Sequence, residues 1–222
     1  MSGPVVIADD HPLFRAALVQ AVSGAAPDRR VLETSSLEDA DKALKSCDED
    51  GASAGLLCLD LHMSDSEGFA GLIAVRHDRP SLPVIVISGS EGPGVAARAL
   101  GFGASAFVPK SSDISVIREA VEAVLAGDIW APPGSQAADE GTEANAAAAR
   151  LATLTPTQLR VLTLVRDGLL NKQIAYELSI SEATVKAHLT AIFRKLDVHT
   201  RTQAVLAADG LDVDRAAPKE DG

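Results

Sequence analysis

Five short apolar runs are spaced through the first 110 residues: Val5–Ala8, Arg30–Thr34, Leu56–Leu59, Pro83–Ile87 and Ala106–Val108. Runs of this length, bounded by turn residues and rich in β-branched or aliphatic side chains, predict buried strands. Between them the apolar spacing changes to that of helices. Pro12 opens a first helix with Leu13, Ala17, Leu18, Ala21 and Val22 on one face, and Leu37, Ala40, Ala43, Leu44 and Cys47 give a second. Phe69, Leu72, Ile73 and Arg76 mark a third, Val95 to Phe102 a fourth ended by Gly101 and Gly103, and Ile114, Ile117, Val121, Val124 and Leu125 a fifth. Strands alternating with helices predict α/β architecture, a doubly wound five-stranded parallel sheet covered on both faces.

The pattern changes after residue 130. Pro132-Pro133-Gly134, Gly141 and a run of alanines with scattered acids carry no apolar stripe, so 131–150 reads as a linker with a weak helix over Glu143–Arg150. From Leu154 only helical spacing remains. Thr155-Pro156-Thr157-Gln158 combines an N-cap, a first-turn proline and a glutamine three residues after the cap. Lys172–Leu178 follows, then a helix from Glu182 to Leu196 capped by Ser181, and a last one from Thr202 to Ala208 opened by Thr200 and Gln203. The expected domains are therefore 1–130, a linker at 131–150, a small all-α four-helix domain at 151–208, and a disordered acidic tail at 209–222.

Charge divides the chain the same way. Net charge is −11, yet residues 151–205 carry seven basic and four acidic side chains while residues 1–150 carry eleven and twenty-two. By charge alone, a basic helical segment in an acidic chain fits a local nucleic-acid contact and a solvated face equally well. Aromatics are only 3%, so the core must be aliphatic. No apolar run approaches the roughly 20 residues of a membrane helix, no charged leader precedes Val5, and two unpatterned cysteines suit a reducing compartment. A cytoplasmic protein with no membrane partner is expected.

The candidate chemistry lies at strand ends. Asp9 and Asp10 end the first run, Asp60 the third and Ser88 the fourth, and Lys110 follows the fifth. Open parallel sheets place ligands at the carboxyl ends of their strands. Converging carboxylates need neutralisation by shifted pKa values or by a cation, and hard oxygen ligands suit Mg2+. A carboxylate nucleophile, a divalent metal, a hydroxyl and a lysine together suit acceptance of a phosphoryl group. Each residue alone also has a bland reading as a turn, cap or solvated end; the five in order at strand ends do not.

Residues 5–127 resemble the response-regulator receiver domain, which has a flavodoxin-like fold. The resemblance implies that Asp9 and Asp10 bind Mg2+ together with Asp60 and the main-chain carbonyl of His62. It implies that Asp60 is phosphorylated by a histidine kinase and that Ser88 and Lys110 contact the phosphoryl group. Phe107 would move inward as the hydroxyl shifts, and Gly89 would leave room for the phosphoryl group. Two features depart from the family pattern. Met63-Ser64-Asp65 stands where Met-Pro-Gly is usual, putting a further charge near the site, and Pro109 precedes Lys110 rather than following it. His62 and Ser90 are expected to tune hydrolysis.

Lys172 to Leu196 has the helix–turn–helix shape. Leu154-Thr155-Pro156, Gly168, Asn171-Lys172-Gln173-Ile174-Ala175, Ser181 to His188 and Arg194-Lys195-Leu196 are similar to the LuxR-type DNA-binding domain. The order of parts resembles the NarL/FixJ response regulators. By position, Lys186, Ala187 and Thr190 would face bases of promoter DNA in the major groove, with Lys172, His188, Arg194, Lys195 and Arg201 nearer the backbone. Gln158 stands where the family often has Glu. The resemblance implies a homodimer when phosphorylated, joined through the last helix, and a closed form in which the receiver covers the Lys186 helix. The rival readings are a DNA-binding regulator whose receiver is an unphosphorylated interaction module, and a phosphatase or dehalogenase with an Asp nucleophile. The second lacks an acid two residues after Asp60, where His62 stands, and shows no cap domain, so no enzyme activity is expected.

Overall fold

A computed structural model describes residues 3–92, 94–133 and 143–213. Strands β1 (Val5–Ala8), β2 (Val31–Thr34), β3 (Leu56–Asp60), β6 (Val84–Ser88) and β7 (Ala106–Pro109) form one parallel sheet in the order β2-β1-β3-β6-β7. A two-stranded antiparallel hairpin, β4 (His62–Met63) and β5 (Ser66–Glu67), interrupts the chain directly after β3. Its strands are too short to leave an alternating pattern, so nothing in the sequence pointed to them.

Alternation along the strands sorts side chains onto two faces. Val5, Ile7, Leu56, Cys58, Ile85 and Ile87 pack with α1 (Pro12–Ala25) and α5 (Ile114–Ala126). Val6, Leu57, Leu59, Val84, Val86 and Phe107 face α2 (Leu37–Glu49), α3 (Ala70–Asp78) and α4 (Val95–Gly101). Leu18, Ala21 and Val22 bury the inner stripe of α1 as expected, but Leu13 is 91% exposed. It lies on the first turn, which projects past the sheet edge beside the site.

The second apolar cluster does not stop at the receiver. It continues through Ala148 and Leu151 of α6 (Glu143–Ala152) into α7 (Pro156–Arg166), α8 (Asn171–Glu177), α9 (Glu182–Leu196) and α10 (Arg201–Ala208). The weak helix expected in the linker is thus a full helix packed against both α4 and α9. The expected caps are present: Thr155 with Gln158 and Thr200 with Gln203 form capping boxes, and Ser181 accepts from the Thr184 amide.

Two expectations are corrected here. The tail was expected to be disordered from residue 209, but Asp209–Leu211 form a 3-10 helix, with Leu211 1% and Val213 2% exposed. These two apolar side chains join the apolar cluster that runs through both halves, a burial that a solvated tail would forgo. Residues 214–222 lie outside the described residues, as does 134–142 of the linker. The receiver was also expected to cover the Lys186 helix. Instead it meets α6, α7 and the segment after α10, and leaves Lys186, Ala187 and Thr190 exposed.

Candidate phosphoacceptor pocket and nucleic-acid interface

The register of the sheet assembles the acidic site. β1 pairs with both β2 and β3, and β3 with β6, so Asp9, Asp60 and Ser88 emerge at one edge. Asp9 and Asp60 are 0% and 2% exposed and Ser88 is fully buried. Lys110 reaches over them: its Nζ lies 2.7 Å from Asp60 Oδ2 and 2.8 Å from Asp9 Oδ2. The same ammonium stands 4.9 Å from the centre of the Phe14 ring, in cation–π contact. One cation is therefore shared by two buried carboxylates, leaving a net negative charge, with Asp10 at the rim.

The second oxygen of each carboxylate is held by the backbone. The His11 amide donates to Asp9 Oδ1 at 2.7 Å, and the His62 amide donates to Asp60 Oδ1 at 3.1 Å. Ser90 N–H donates to Ser88 Oγ at 3.1 Å, while Lys110 N–H donates to the Ser88 carbonyl at 2.8 Å. The Ser90 hydroxyl and His62 Nε2 lie 3.5 Å apart across the mouth. His11, Leu13, Phe14, Asp60, His62, Gly89, Ser90 and Lys110 line a cavity of about 470 Å³, and a side chain at Gly89 would meet open space. Phe107 is buried at 2% on the α4 face. The peptide before Pro109 is trans.

Asp9, Asp10, His11 and Asp60 can bring one ligand atom each to within 4.8 Å of one another. Two of the oxygens, Asp9 Oδ2 and Asp10 Oδ1, are buried and accept no well-directed hydrogen bond; their short contacts are with Lys110 Nζ and His11 Nδ1, each at 2.8 Å. Under-satisfied hard oxygens in a converging set fit a divalent cation. His11 was missed by sequence reasoning, although its place directly after Asp9-Asp10 was a usable signal. Arg15 was missed too: its Nη1 donates to the Asp9 carbonyl at 2.6 Å and steadies the strand end.

The departure at Ser64-Asp65 now has a physical account. The Ser64 N–H donates to Asp10 Oδ2 at 3.2 Å, a bond that proline could not make. Asp65 does not add charge to the pocket as expected. Its two oxygens accept from the Leu37 and Glu38 amides at 3.1 and 2.9 Å, capping α2 from across the loop. The helix N-terminus draws that carboxylate away from the site.

The basic residues of the helical half fall into two groups. Lys172, Lys186, Ala187, Thr190 and Arg194 are exposed, and His188 is half-buried. The Thr190 hydroxyl donates back to the Lys186 carbonyl at 3.0 Å, presenting its methyl outward. Lys195 and Arg201 are turned inward. Lys195 Nζ donates to the Thr153 carbonyl at 2.6 Å and to Gln158 Oε1 at 2.8 Å, and Arg201 donates to Asn171 Oδ1 and the Leu169 carbonyl. Both were expected near the DNA backbone; in the structure each ties segments of the domain together, Lys195 joining α9 to the start of α7 and Arg201 joining α10 to the turn before α8.

Comparison with known proteins agrees with this division. Residues 5–122 match the response regulator receiver domain, and residues 152–208 match the family described as bacterial regulatory proteins, luxR family. The chain is a response regulator of the NarL type. This response regulator is 39% identical over 215 residues to the glycerol metabolism activator of Pseudomonas putida, covering 94% of this chain and 96% of that one. It is 32% identical to the nitrate/nitrite response regulator NarP of Escherichia coli K12, covering 91% and 92%. Among solved structures, RcsB in complex with DNA shares the fold with a TM-score of 0.55 at 20% identity, over 95% of this chain and all of that one. The regulator thus joins a receiver fold to a LuxR-type DNA-binding domain, and none of its described helices is long and apolar enough to cross a membrane.

Proposed function

We propose that Asp60 accepts a phosphoryl group from a histidine kinase, with Mg2+ as cofactor, and that the phosphorylated protein binds promoter DNA as a homodimer in the cytoplasm. The observation that carries this reading is the Lys110 ammonium held between Asp60 and Asp9 at the mouth of a pocket with room for a phosphoryl group. Asp9, Asp10, Asp60 and the His62 carbonyl would hold the ion, which offsets negative charge on phosphoryl oxygens when bound. An Asp60 oxygen forms the new P–O bond, the P–N bond to the donor imidazole breaks, and the imidazole nitrogen keeps the electron pair. Lys110 neutralises an equatorial oxygen, and the Ser88 hydroxyl turns from the Ser90 amide toward the phosphoryl group. His62 and Ser90 guard the side from which water would approach. His62, lacking a carboxyl proton to give a leaving group, supports acceptance over enzymatic hydrolysis. The likeness to a protein named as an activator supports activation of transcription.

Incubation with a small phosphodonor and Mg2+, followed by intact-mass measurement, tests this reading. One added phosphoryl mass is expected, lost in Asp60→Ala along with donor-stimulated DNA binding. A second reading, a regulator controlled by a partner and not by phosphorylation, is favoured by the exposed Lys186 face. It requires that DNA affinity be the same with and without the phosphodonor.

A further inference from the structure

His11 follows the acidic pair at the N-cap of α1, and its main chain is pinned on both sides. Its amide donates to Asp9 Oδ1 at 2.7 Å, its carbonyl accepts from the Arg15 amide at 2.9 Å, and the ring of Pro12 fixes the φ that follows. The imidazole therefore leaves the chain from a fixed point beside the carboxylates. Its Nδ1 lies 2.8 Å from Asp10 Oδ1, 3.7 Å from Asp9 Oδ1 and 3.8 Å from Asp60 Oδ2.

The contact with Asp10 is close, yet it is not a hydrogen bond. Asp10 Oδ1 is buried and accepts none, so the in-plane direction of Nδ1 does not run to that oxygen. A nitrogen and an oxygen that share a metal ion stand in this relation, since each lone pair points at the ion and past the other atom. Two ligand atoms about 2.1 Å from one ion are about 3.0 Å apart when adjacent and about 4.2 Å apart when opposite. The three distances from Nδ1 match that span to within a few tenths of an ångström. Asp9 Oδ2, on a fully buried side chain, also accepts no well-directed hydrogen bond. Charge points the same way. Three carboxylates and the Lys110 ammonium leave two negative charges, which one divalent ion cancels if the imidazole is neutral.

We propose that His11 is a metal ligand through Nδ1, and that it makes this site select a first-row transition ion such as Co2+, Ni2+ or Zn2+ over Mg2+. Carboxylate and carbonyl oxygens alone suit Mg2+, whereas an imidazole nitrogen favours the borderline ions. The ring carries its proton on Nε2 when Nδ1 binds, so His11 adds a donor without adding charge. The proposal deepens the phosphoacceptor reading and rests on it for what the ion does. Mg2+ still fills the site through its oxygens, and His11 decides which ion competes best for it.

Full-length protein loaded with Mn2+ gives the direct measurement, because a nitrogen bound to the ion modulates the electron spin-echo signal. That modulation is expected in the parent and is expected to vanish in His11→Gln, which keeps a polar side chain and every main-chain bond of residue 11. In calorimetric titrations the same substitution is expected to weaken Ni2+ binding about tenfold or more, the scale of loss for altered metal-site partners. It should weaken Mg2+ binding by less than about twofold. His11→Ala repeats both readouts with no side-chain donor left. A parent without nitrogen modulation overturns the proposal. A modulation that persists in His11→Gln also overturns it, by assigning the nitrogen to another histidine such as His62 across the mouth. Equal weakening of Ni2+ and Mg2+ does the same. Intact mass after phosphodonor and Mg2+ separates the two readings: a parent that gains no phosphoryl group sinks the acceptor reading, while the spin-echo signal and the titrations still decide the role of His11.

Discussion

Lys110 lies in the receiver between two carboxylates that water barely reaches, its Nζ within 2.8 Å of both. Lys186 and Arg194, in the helical half, extend from α9 into solvent. The receiver holds its charges in contact with one another, mostly buried and fixed by strand ends. The recognition helix leaves its charges exposed and unbalanced until a polyanion arrives. The first arrangement sets up chemistry at one point, because a buried charge acts through a low dielectric. The second gives affinity spread over a surface and open to screening by salt. Lys195 shows that proximity in sequence does not assign a residue to one class, since it follows Arg194 on the same helix yet bonds Thr153 and Gln158 inside the domain.

The largest expected effect that would sharpen this contrast is at Lys110. Lys110→Ala leaves Asp9 and Asp60 without their cation, and removing one partner of a buried pair costs about 3–5 kcal/mol. Urea unfolding without divalent ions should show that loss, and added Mg2+ should recover much of it. Equal stability with and without Mg2+ would break the charge-balance account.

Next come the neighbours on α9. Lys195→Ala should lower stability by about 1–2 kcal/mol, through the loss of its two hydrogen bonds, and should leave the salt dependence of DNA binding unchanged. Arg194→Ala should do the reverse, leaving stability nearly constant and lowering the slope of log affinity against log salt by about 1. Interchanged results would erase the distinction between the two groups.

Cys58 extends the comparison to a buried neutral group. Burial raises its thiol from 9.0 to about 12. A folded value above the unfolded one means that its stabilising effect is complete below pH 9 and is lost as pH rises toward 12. Between pH 9 and 10 the unfolding free energy should start to fall, reaching a loss of about 1.4 kcal/mol near pH 10 relative to Cys58→Ala. Parallel pH profiles for parent and variant would refute it. The smallest effect is at Asp65. Asp65→Ala removes the acceptor of the Leu37 and Glu38 amides but leaves the Ser36 cap of α2, and should cost about 1 kcal/mol, read from the urea midpoint, without reducing phosphoryl uptake.

How much of this was legible depends on the range of the interaction. The parallel sheet, its helices and the acidic residues at strand ends follow from local patterns, because a strand's period and its terminal polar residue are set within a few positions. The hairpin at His62–Glu67 was not legible, since two-residue strands leave no period. Lys195 and Arg201 looked like DNA contacts because basic residues on a helix share one signature; only the carbonyls of Thr153 and Leu169, distant in sequence, turn them inward. Asp65 looked like extra charge for the pocket until the start of α2 was in place to receive it.

By itself, then, the sequence determined the two folds, the order of the parts and the convergence of Asp9, Asp60, Ser88 and Lys110. Each of these is encoded by periodicity and by residues at the ends of elements. Tertiary structure alone decided which oxygens Lys110 bridges, that the recognition face stays open, and that Leu211–Val213 lie against Phe69 and Arg98. Those contacts join residues far apart in the chain through main-chain carbonyls, and a carbonyl is the same group in every residue.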